Sequence, residues 1–332
     1  MKLVTMAHGG GGTRMQELLS QTVFPLLGGS ATDAEDAAVL DLEAGRVAFT
    51  TDSFVVRPLF FPGGDIGKLA VCGTVNDLAM RGAKPLYLSL GLIIEEGLPF
   101  ETLEQALTSV AEWAGRAGVR VVAGDTKVVE RGKADGLFIN TAGVGVVPEG
   151  RDVSITGARK GDALIINGYI GDHGVAVMTE REGFRFESGV VSDCAPLNVL
   201  TEAMFAAGKV GAMRDATRGG LGAVLKEMAA ASGAAIEIEE GSLPIRDGVR
   251  AVCELLGFDP LYVANEGKLV ASVPSGDENA VLEAMRSVEE GRDSVTIGRV
   301  IDGKPGEVVM VTKLGSRRLI RMPSGEQLPR IC

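Results

Sequence analysis

Four aspartates stand where a carboxylate can meet a cation: Asp36 in DAAVLD, Asp52 in TTDS, Asp77 in TVNDLA and Asp125 in AGDTK. Each falls at the expected end of an element or beside small residues, and hard oxygen donors so placed suit magnesium held with nucleotide phosphates. Read singly, Asp36 serves equally as a helix cap, and Asp52 and Asp125 as turn residues. Asp77 differs, because it lies with Asn76 inside a run of small and apolar residues where a carboxylate needs a partner. Lys68 and Lys127 are cations that could neutralise phosphate charge, Lys127 directly after Asp125 and Thr126. The glycine run from Gly9 to Gly12 precedes an amphipathic stretch, so its N–H groups could face phosphate oxygens, although such a run serves equally as a loop.

Two further motifs lie in the second half. RDATRGGLG (Arg214 to Gly222) leads through paired glycines into a helix, and NEGK (Asn265 to Lys268) places Glu266 in a tight turn before a strand; each reads equally as structural. His8 and His173 both precede glycine in segments that read as loops, which makes them candidate acid/base groups and nothing more. The chain ends in LPRIC, on a thiol. A prenylation box needs its cysteine four residues from the end, so Cys332 does not fit one. An incidental terminal cysteine is the plain alternative. The nine residues after Pro323 span about 30 Å when extended, against a radius of gyration of roughly 20 Å, so the thiol reaches a site in its own subunit or on a partner.

The elements that must position these groups alternate between strand-like and helical patterns, which indicates a mixed α/β or α+β class. Arg46 to Thr51 reads as a strand ending at Asp52, Ile66 to Arg81 as a helix and Leu86 to Ile94 as a buried strand. Thr102 to Ala117 reads as a helix closed by Gly118, and Val119 to Ala123 as a strand ending in Gly124 and Asp125. Turn formers from Pro148 to Gly161 place a domain boundary near residue 155. Beyond it the pattern predicts a strand at Asp162 to Asn167, a turn at Gly168 to Gly174 and helices near Asn198 to Ala207 and Gly219 to Ala231. A strand at Ala235 to Glu239, a helix at Asp247 to Leu256, a strand at Lys268 to Val273 and a helix at Glu278 to Val288 follow. Past Val311 the pattern weakens, and Pro323, Gly325 and Pro329 oppose a long regular element.

The 332 residues suit two domains, and 45% hydrophobic with 23% charged residues indicates a globular chain rather than a disordered or fibrous one. A net charge of -11 without a Lys/Arg cluster argues against nucleic acid as a partner. No apolar run is long enough for a membrane span, and the N-terminus lacks a signal-peptide core, so a cytoplasmic protein is expected. Cys72, Cys194, Cys253 and Cys332 form no CxxC pair; the first three read as small buried hydrophobes.

Taken together, HGGGGTRMQELL, the block from Asp52 to Ser89, EEGLP, GDTKVV, INGYIGDHG, SDCAPL, RDATRGGL, VCELLGFDP, ANEGK and the terminal PRIC resemble the HypE family of hydrogenase maturation factors, in the same order from residue 8 to residue 332. That family is similar in architecture to an ATP-binding superfamily with aminoimidazole ribonucleotide synthetase, selenophosphate synthetase and thiamine-monophosphate kinase. Gly10 stands where the family usually carries Ser or Ala, which leaves backbone contacts there but no hydroxyl. The resemblance implies an α+β, two-domain PurM-like ATP-binding fold. Its parts would be a glycine-rich segment (1–42), an N-terminal domain (43–154) pairing with a second subunit through its sheet, a C-terminal domain (155–310) and a mobile tail (311–332).

The resemblance also implies that Cys332 carries a carbamoyl group placed by the carbamoyltransferase HypF. ATP then drives dehydration to a thiocyanate, and the cyano group passes to iron on the HypC–HypD complex. An amide oxygen leaves poorly; phosphorylating it gives an imidate phosphate, and removing the N–H proton expels phosphate. By the same match Asp36, Asp52, Asp77 and Asp125 are implied magnesium ligands. Gly9, Gly11, Gly12, Lys68, Asn76 and Thr126 are implied nucleotide contacts, Lys127 is the implied catalytic lysine and Glu266 the proton acceptor. Homodimerisation, ATP and Mg2+ follow from it. The rivals are a superfamily enzyme phosphorylating a diffusible substrate, with Cys332 incidental, and a non-catalytic scaffold whose tail docks on assembly proteins.

Overall fold

In the computed structural model, residues 3–5, 8, 17–27, 45–181, 189–323 and 331 are described; Gly9, Gly11, Gly12, Asp36 and Cys332 lie outside the described residues. The first half runs through a π-helical turn Leu19–Val23 into α1 (Phe24–Leu27), then β1 (Arg46–Phe54), the short strands β2 (Phe60–Phe61) and β3 (Gly64–Asp65), and α2 (Ile66–Met80). It continues with β4 (Lys84–Glu95), α3 (Phe100–Ala117), β5 (Arg120–Val129) and β6 (Leu137–Val147). Four of these strands form a sheet in the order β1-β6-β4-β5, with β4 and β5 parallel and the other neighbours antiparallel. Alternation along β1 turns Ala48, Thr50, Asp52 and Phe54 towards α2 and leaves Val47 and Phe49 exposed on the other face.

Helix α2 starts at Asp65, whose Oδ1 accepts from the N–H groups of Gly67 and Lys68 at 2.7 and 3.1 Å. Its other carboxylate oxygen takes the Ser109 hydroxyl of α3 at 2.7 Å, which ties the two helices together. Nearly every residue of α2 is buried, so this helix is a central post rather than a surface element. Small residues let its neighbours approach: a Cβ on Gly67 would stand 2.2 Å from the Ala106 carbonyl oxygen of α3. Helix α3 is amphipathic and ends at Gly118, which takes a left-handed φ of 70°.

The second half supplies β7 (Ala163–Ile166), α4 (Asp172–Arg181), α5 (Asn198–Ala207), β8 (Ala212–Asp215), α6 (Gly220–Ser232) and β9 (Ala235–Glu239). They are followed by α7 (Asp247–Leu256), β10 (Leu269–Val273), α8 (Glu278–Arg286), β11 (Val295–Ile301), β12 (Val308–Val311) and β13 (Arg317–Leu319). Seven strands pair in the order β13-β12-β9-β11-β7-β10-β8. The expected mixed two-domain architecture is therefore present, each domain with its own sheet and apolar core. Asn76 of α2 ties the halves: its amide donates to the carbonyls of Ala195 and Glu266 at 3.1 and 3.3 Å and accepts from the Leu197 N–H at 2.7 Å. No helix among the described residues is long and apolar enough to cross a membrane.

Several sequence expectations are corrected. Asp52 and Asp125 do not end their strands; β1 runs on to Phe54 and β5 to Val129, because the ladders to β6 and β4 continue past both aspartates. The turn expected from Gly168 to Gly174 ends early, and α4 begins at Asp172. His173 therefore lies not in a loop but fully buried in the first turn of α4. The C-terminal sheet continues past residue 310, since Arg317–Leu319 pairs with β12.

Replacing Gly67 by Ala improves helix propensity but drives a methyl group into backbone that cannot retreat. Net destabilisation of about 1–3 kcal/mol is expected from urea unfolding, and an unchanged midpoint would contradict this account of the α2–α3 contact.

Candidate active site

The C-terminal end of β8, the RDATRGG segment and the NEGK turn meet one end of α2. Asp77 accepts the Thr50 hydroxyl at 2.8 Å. Burial raises its proton affinity, and the charge of Asp52 raises it further against the opposing Arg214. Asp52 is likewise raised by burial, opposed by the Ser53 N–H and by Arg218. Asp215 is almost fully buried, and burial together with the charges of Asp77 and Asp52 lifts it to about 7. Three carboxylates from β1, α2 and β8 thus repel one another, with Arg214 and Arg218 as the nearby cations. The carboxylate oxygens are of the hard donor type that a divalent cation with nucleotide phosphates requires. No three acidic, His or Cys side chains among the described residues already stand grouped to hold a metal.

Glu266 is buried in the turn before β10. Asp193 accepts the N–H groups of Glu266 and Gly267 at 3.2 and 3.1 Å and pairs with Lys268 at 3.2 Å, clamping that turn. Asn265 fixes it from the other side, accepting from the Gly171 N–H and donating to the Ala216 carbonyl, both at 2.7 Å. Burial first, then the neighbouring Cys194, Asp215, Asp193 and Asp52, holds the Glu266 carboxyl well above the usual carboxylate range. A carboxyl so placed favours its protonated form in the ligand-free protein.

The sequence-derived set does not converge on one point. Asp52 shares a row with Thr141, whose hydroxyl faces α2, whereas Asp125 shares a row with Ser53, Asn140 and Gly91 on the opposite face of the sheet. There Lys127 pairs with Asp125 at 2.6 Å, and Lys127 draws the Asp125 carboxyl below its ordinary range. The sheet thus separates Asp125 and Lys127 from Asp52 and Asp77 of the same subunit. Thr126, between them, points inward and is buried. Lys68 lies about 13.5 Å of helix from Asp77, donating to the Gly63 carbonyl at 2.8 Å with its ammonium 4.0 Å from the Trp113 ring centre. It borders a cavity of about 800 Å3 with Trp113, Asp172, Asp193, Arg246 and Lys268. Asn76, expected at the nucleotide, is occupied by its three interdomain backbone bonds. His8 is buried against Phe100 with its Nδ1 on Thr5.

Sequence reasoning assigned no role to Asp215, Asp193, Arg214 or Arg218. The RDATRGG and SDCAPL motifs contain them, but only the approach of β8 and the 189–197 loop to α2 reveals their neighbours. The last described residue, Ile331, is buried in the core that also holds Cys72 and Cys194, and its carbonyl lies 2.6 Å from His173 Nε2.

A two-domain sheet-and-helix fold with acidic residues gathered at a glycine-rich turn defines a class. Residues 34–147 match the N-terminal domain, and residues 159–311 the C-terminal domain, of the AIR synthase related proteins, to which this chain belongs. Within that class it belongs to the HypE family of carbamoyl dehydratases. It is 52% identical over 332 residues to carbamoyl dehydratase HypE of Bradyrhizobium diazoefficiens, covering 99% of this chain and 96% of that one. A structure of the hydrogenase maturation protein HypE in complex with ATP is similar with a TM-score of 0.94 at 44% identity, over 99% of each chain. A chain in a HypE–HypF complex gives a TM-score of 0.82 at 48% identity, over 94% of this chain and 100% of that one.

The Asp215 carboxyl titrates near 3.8 when unfolded and about 7 when folded. Between those values the native state holds a proton that the unfolded state has lost, so stability falls as pH rises through that window. Asp215→Asn should therefore stabilise the ligand-free protein against urea unfolding at pH 8, by no more than about 4 kcal/mol, and change its stability little at pH 4. A destabilised Asp215→Asn protein at pH 8 would contradict the assignment.

Proposed function

We propose that this chain carries a carbamoyl group on the Cys332 thiol and uses ATP to dehydrate it to a thiocyanate, the source of the cyano ligand of [NiFe]-hydrogenase iron. One observation carries the reading to this chain's own residues. Ile331, bonded to Cys332, is buried in its own subunit and reaches His173, beside the loop whose Asp193 clamps the Glu266 turn.

The order of events follows from the carbamoyl chemistry. The carbamoyl oxygen attacks the γ-phosphorus of ATP, ADP leaves, and loss of one nitrogen proton gives the imidate phosphate. Removal of the second N–H proton forms the C≡N bond as phosphate departs, with the sulfur–carbon bond kept throughout. Asp52, Asp77 and Asp215 would hold magnesium, which would supply charge neutralisation at the phosphates and lessen the acidic field that, after burial, raises the proton affinity of Glu266. Glu266 then accepts the proton from nitrogen; its clamped backbone keeps the carboxyl in one place. Arg214 and Arg218 stand beside these carboxylates as cations for the phosphates.

A homodimer completes the site. Phe49 is 70% exposed and Val47 51% exposed on the open face of the N-terminal sheet, an apolar surface that suits a second copy. Asp125 and Lys127 project from that same face, so pairing carries them towards the neighbouring subunit's cleft, where Lys127 would steady the phosphorylated oxygen. The carbamoyl group would come from a HypF-type carbamoyltransferase, as the HypE–HypF complex suggests, and the cyano group would pass to a HypC–HypD-type acceptor.

Incubation with a carbamoyltransferase, carbamoyl phosphate and ATP should add a carbamoyl mass to the intact protein and then remove one water. Cys332→Ser should gain no adduct while still binding ATP, and Glu266→Gln should accumulate the carbamoylated form. ATP turnover on a small substrate after deletion of residues 323–332 would sink the proposal. Subunit exchange checks the shared site: mixing inactive Glu266→Gln and Lys127→Ala proteins one to one should restore about a quarter of the parent rate if Lys127 acts across the dimer. No restoration would place Lys127 outside the neighbour's site.

A further inference from the structure

His173 sits in the first turn of α4 with no exposed surface, and both ring nitrogens are engaged. Nε2 lies 2.6 Å from the Ile331 carbonyl oxygen, and Nδ1 lies 2.8 Å from the Ser192 hydroxyl. A carbonyl only accepts, so Nε2 carries the hydrogen. In the neutral ring Nδ1 is then bare and accepts from the Ser192 O–H. Ser192 Oγ in turn accepts the Cys194 N–H at 3.1 Å, and the Ser192 N–H donates to the Pro62 carbonyl at 2.8 Å. The hydrogen bonds run one way, from the 192–194 loop through the ring to the penultimate peptide. Burial lowers the proton affinity of the imidazole and so favours the neutral ring this chain of bonds needs, against Asp193 and the Ile331 bond, which favour the charged one. Phe61 closes on it edge-on at 5.4 Å between ring centres.

We propose that His173 is a positioning residue that latches the backbone of Ile331 inside its own subunit and thereby sets where the Cys332 thiol reacts. The inference rests on the reading that Cys332 carries the reacting group. The Cys332 amide nitrogen is bonded to the latched carbonyl carbon, and covalent geometry ties its sulfur to within about 5 Å of that carbon. A free chain end would spend most of its time elsewhere, so a fixed last peptide raises the effective concentration of the reacting group at the site. Ser192 orients the imidazole, as the partner of a ring nitrogen does in other buried histidines. Nothing in this arrangement gives His173 a proton to exchange with substrate.

The test compares His173→Leu, which removes the donor, with His173→Gln, which returns an N–H near the position of Nε2, and with Ser192→Ala, which keeps the ring but not its orienting partner. The first readout is alkylation of Cys332 by iodoacetamide in the full-length protein, followed by mass of the C-terminal peptide, without ATP or carbamoyl donor. His173→Leu should speed alkylation about five- to tenfold, the range one buried hydrogen bond supports, with Ser192→Ala between it and the parent. His173→Gln should fall back near the parent rate. The second readout is single-turnover dehydration of carbamoylated protein at saturating ATP, which should slow by a similar factor in His173→Leu while the ATP-induced rise in melting temperature is unchanged. If His173→Leu does not fold, the Gln and Ala variants decide alone. Parent-like alkylation in His173→Leu or Ser192→Ala, or a Gln variant as altered as Leu, would overturn the latch and leave His173 as packing for Phe61. Because alkylation needs no ATP chemistry, failure of the dehydration reading would leave this measurement interpretable.

Discussion

Burial of the helix Ile66–Met80 on nearly every side constrains the rest of the molecule. A helix with so little solvent-facing surface can carry a polar side chain only where another element brings a partner. Thr74 meets the Thr141 hydroxyl from the sheet, Asn76 meets three backbone groups of the C-terminal domain, and Asp77 meets Thr50. Each of these bonds fixes a different element against the same post. The glycines at 67 and 73 let α3 and Phe54 approach so closely that side chains there would collide, so the post also sets the spacing of the layers. The way the two domains meet follows from that one packed helix.

Bringing several carboxylates to the end of that post is costly, and the cost lies in their raised proton affinities. Asp215 moves to about 7, and Glu266 is pushed well above its ordinary range by burial and its acidic neighbours. A domain selected for stability alone would place apolar residues there. The arrangement is one in which a positively charged ligand gains from entering. Asp193 serves differently: its two oxygens are taken up by the backbone and the ammonium of the NEGK turn, so it acts as a rigid support for the residue beside it.

The N-terminal sheet divides the polar groups into two sets. Its inner face directs Asp52 and Thr141 at the helix, and its outer face carries Asp125, Lys127 and Asn140 among exposed apolar residues. One strand position decides the side, because side chains alternate at every residue. The two sets are thus kept apart within a subunit.

Much of the architecture was legible in the chain itself. Helix Ile66–Met80 and the Gly118 stop of α3 follow from local periodicity and from glycine's access to positive φ, which depend on neighbours a few residues away. The burial of Cys72, Cys194 and Cys253 followed from their isolation and apolar surroundings. The motif series from residue 8 to Cys332 points to the HypE family without reference to the fold. Local pattern failed where long-range pairing took over: β1 and β5 run through their aspartates because partner strands continue alongside, and His173 is helical and buried although glycines surround it. The partners of Asp215, the Asp193 clamp and the seat of Ile331 against His173 join residues far apart in sequence. Such contacts depend on how the two domains close around one helix, and no local spacing encodes that; only the tertiary structure decided which polar groups share a site and which face away from it.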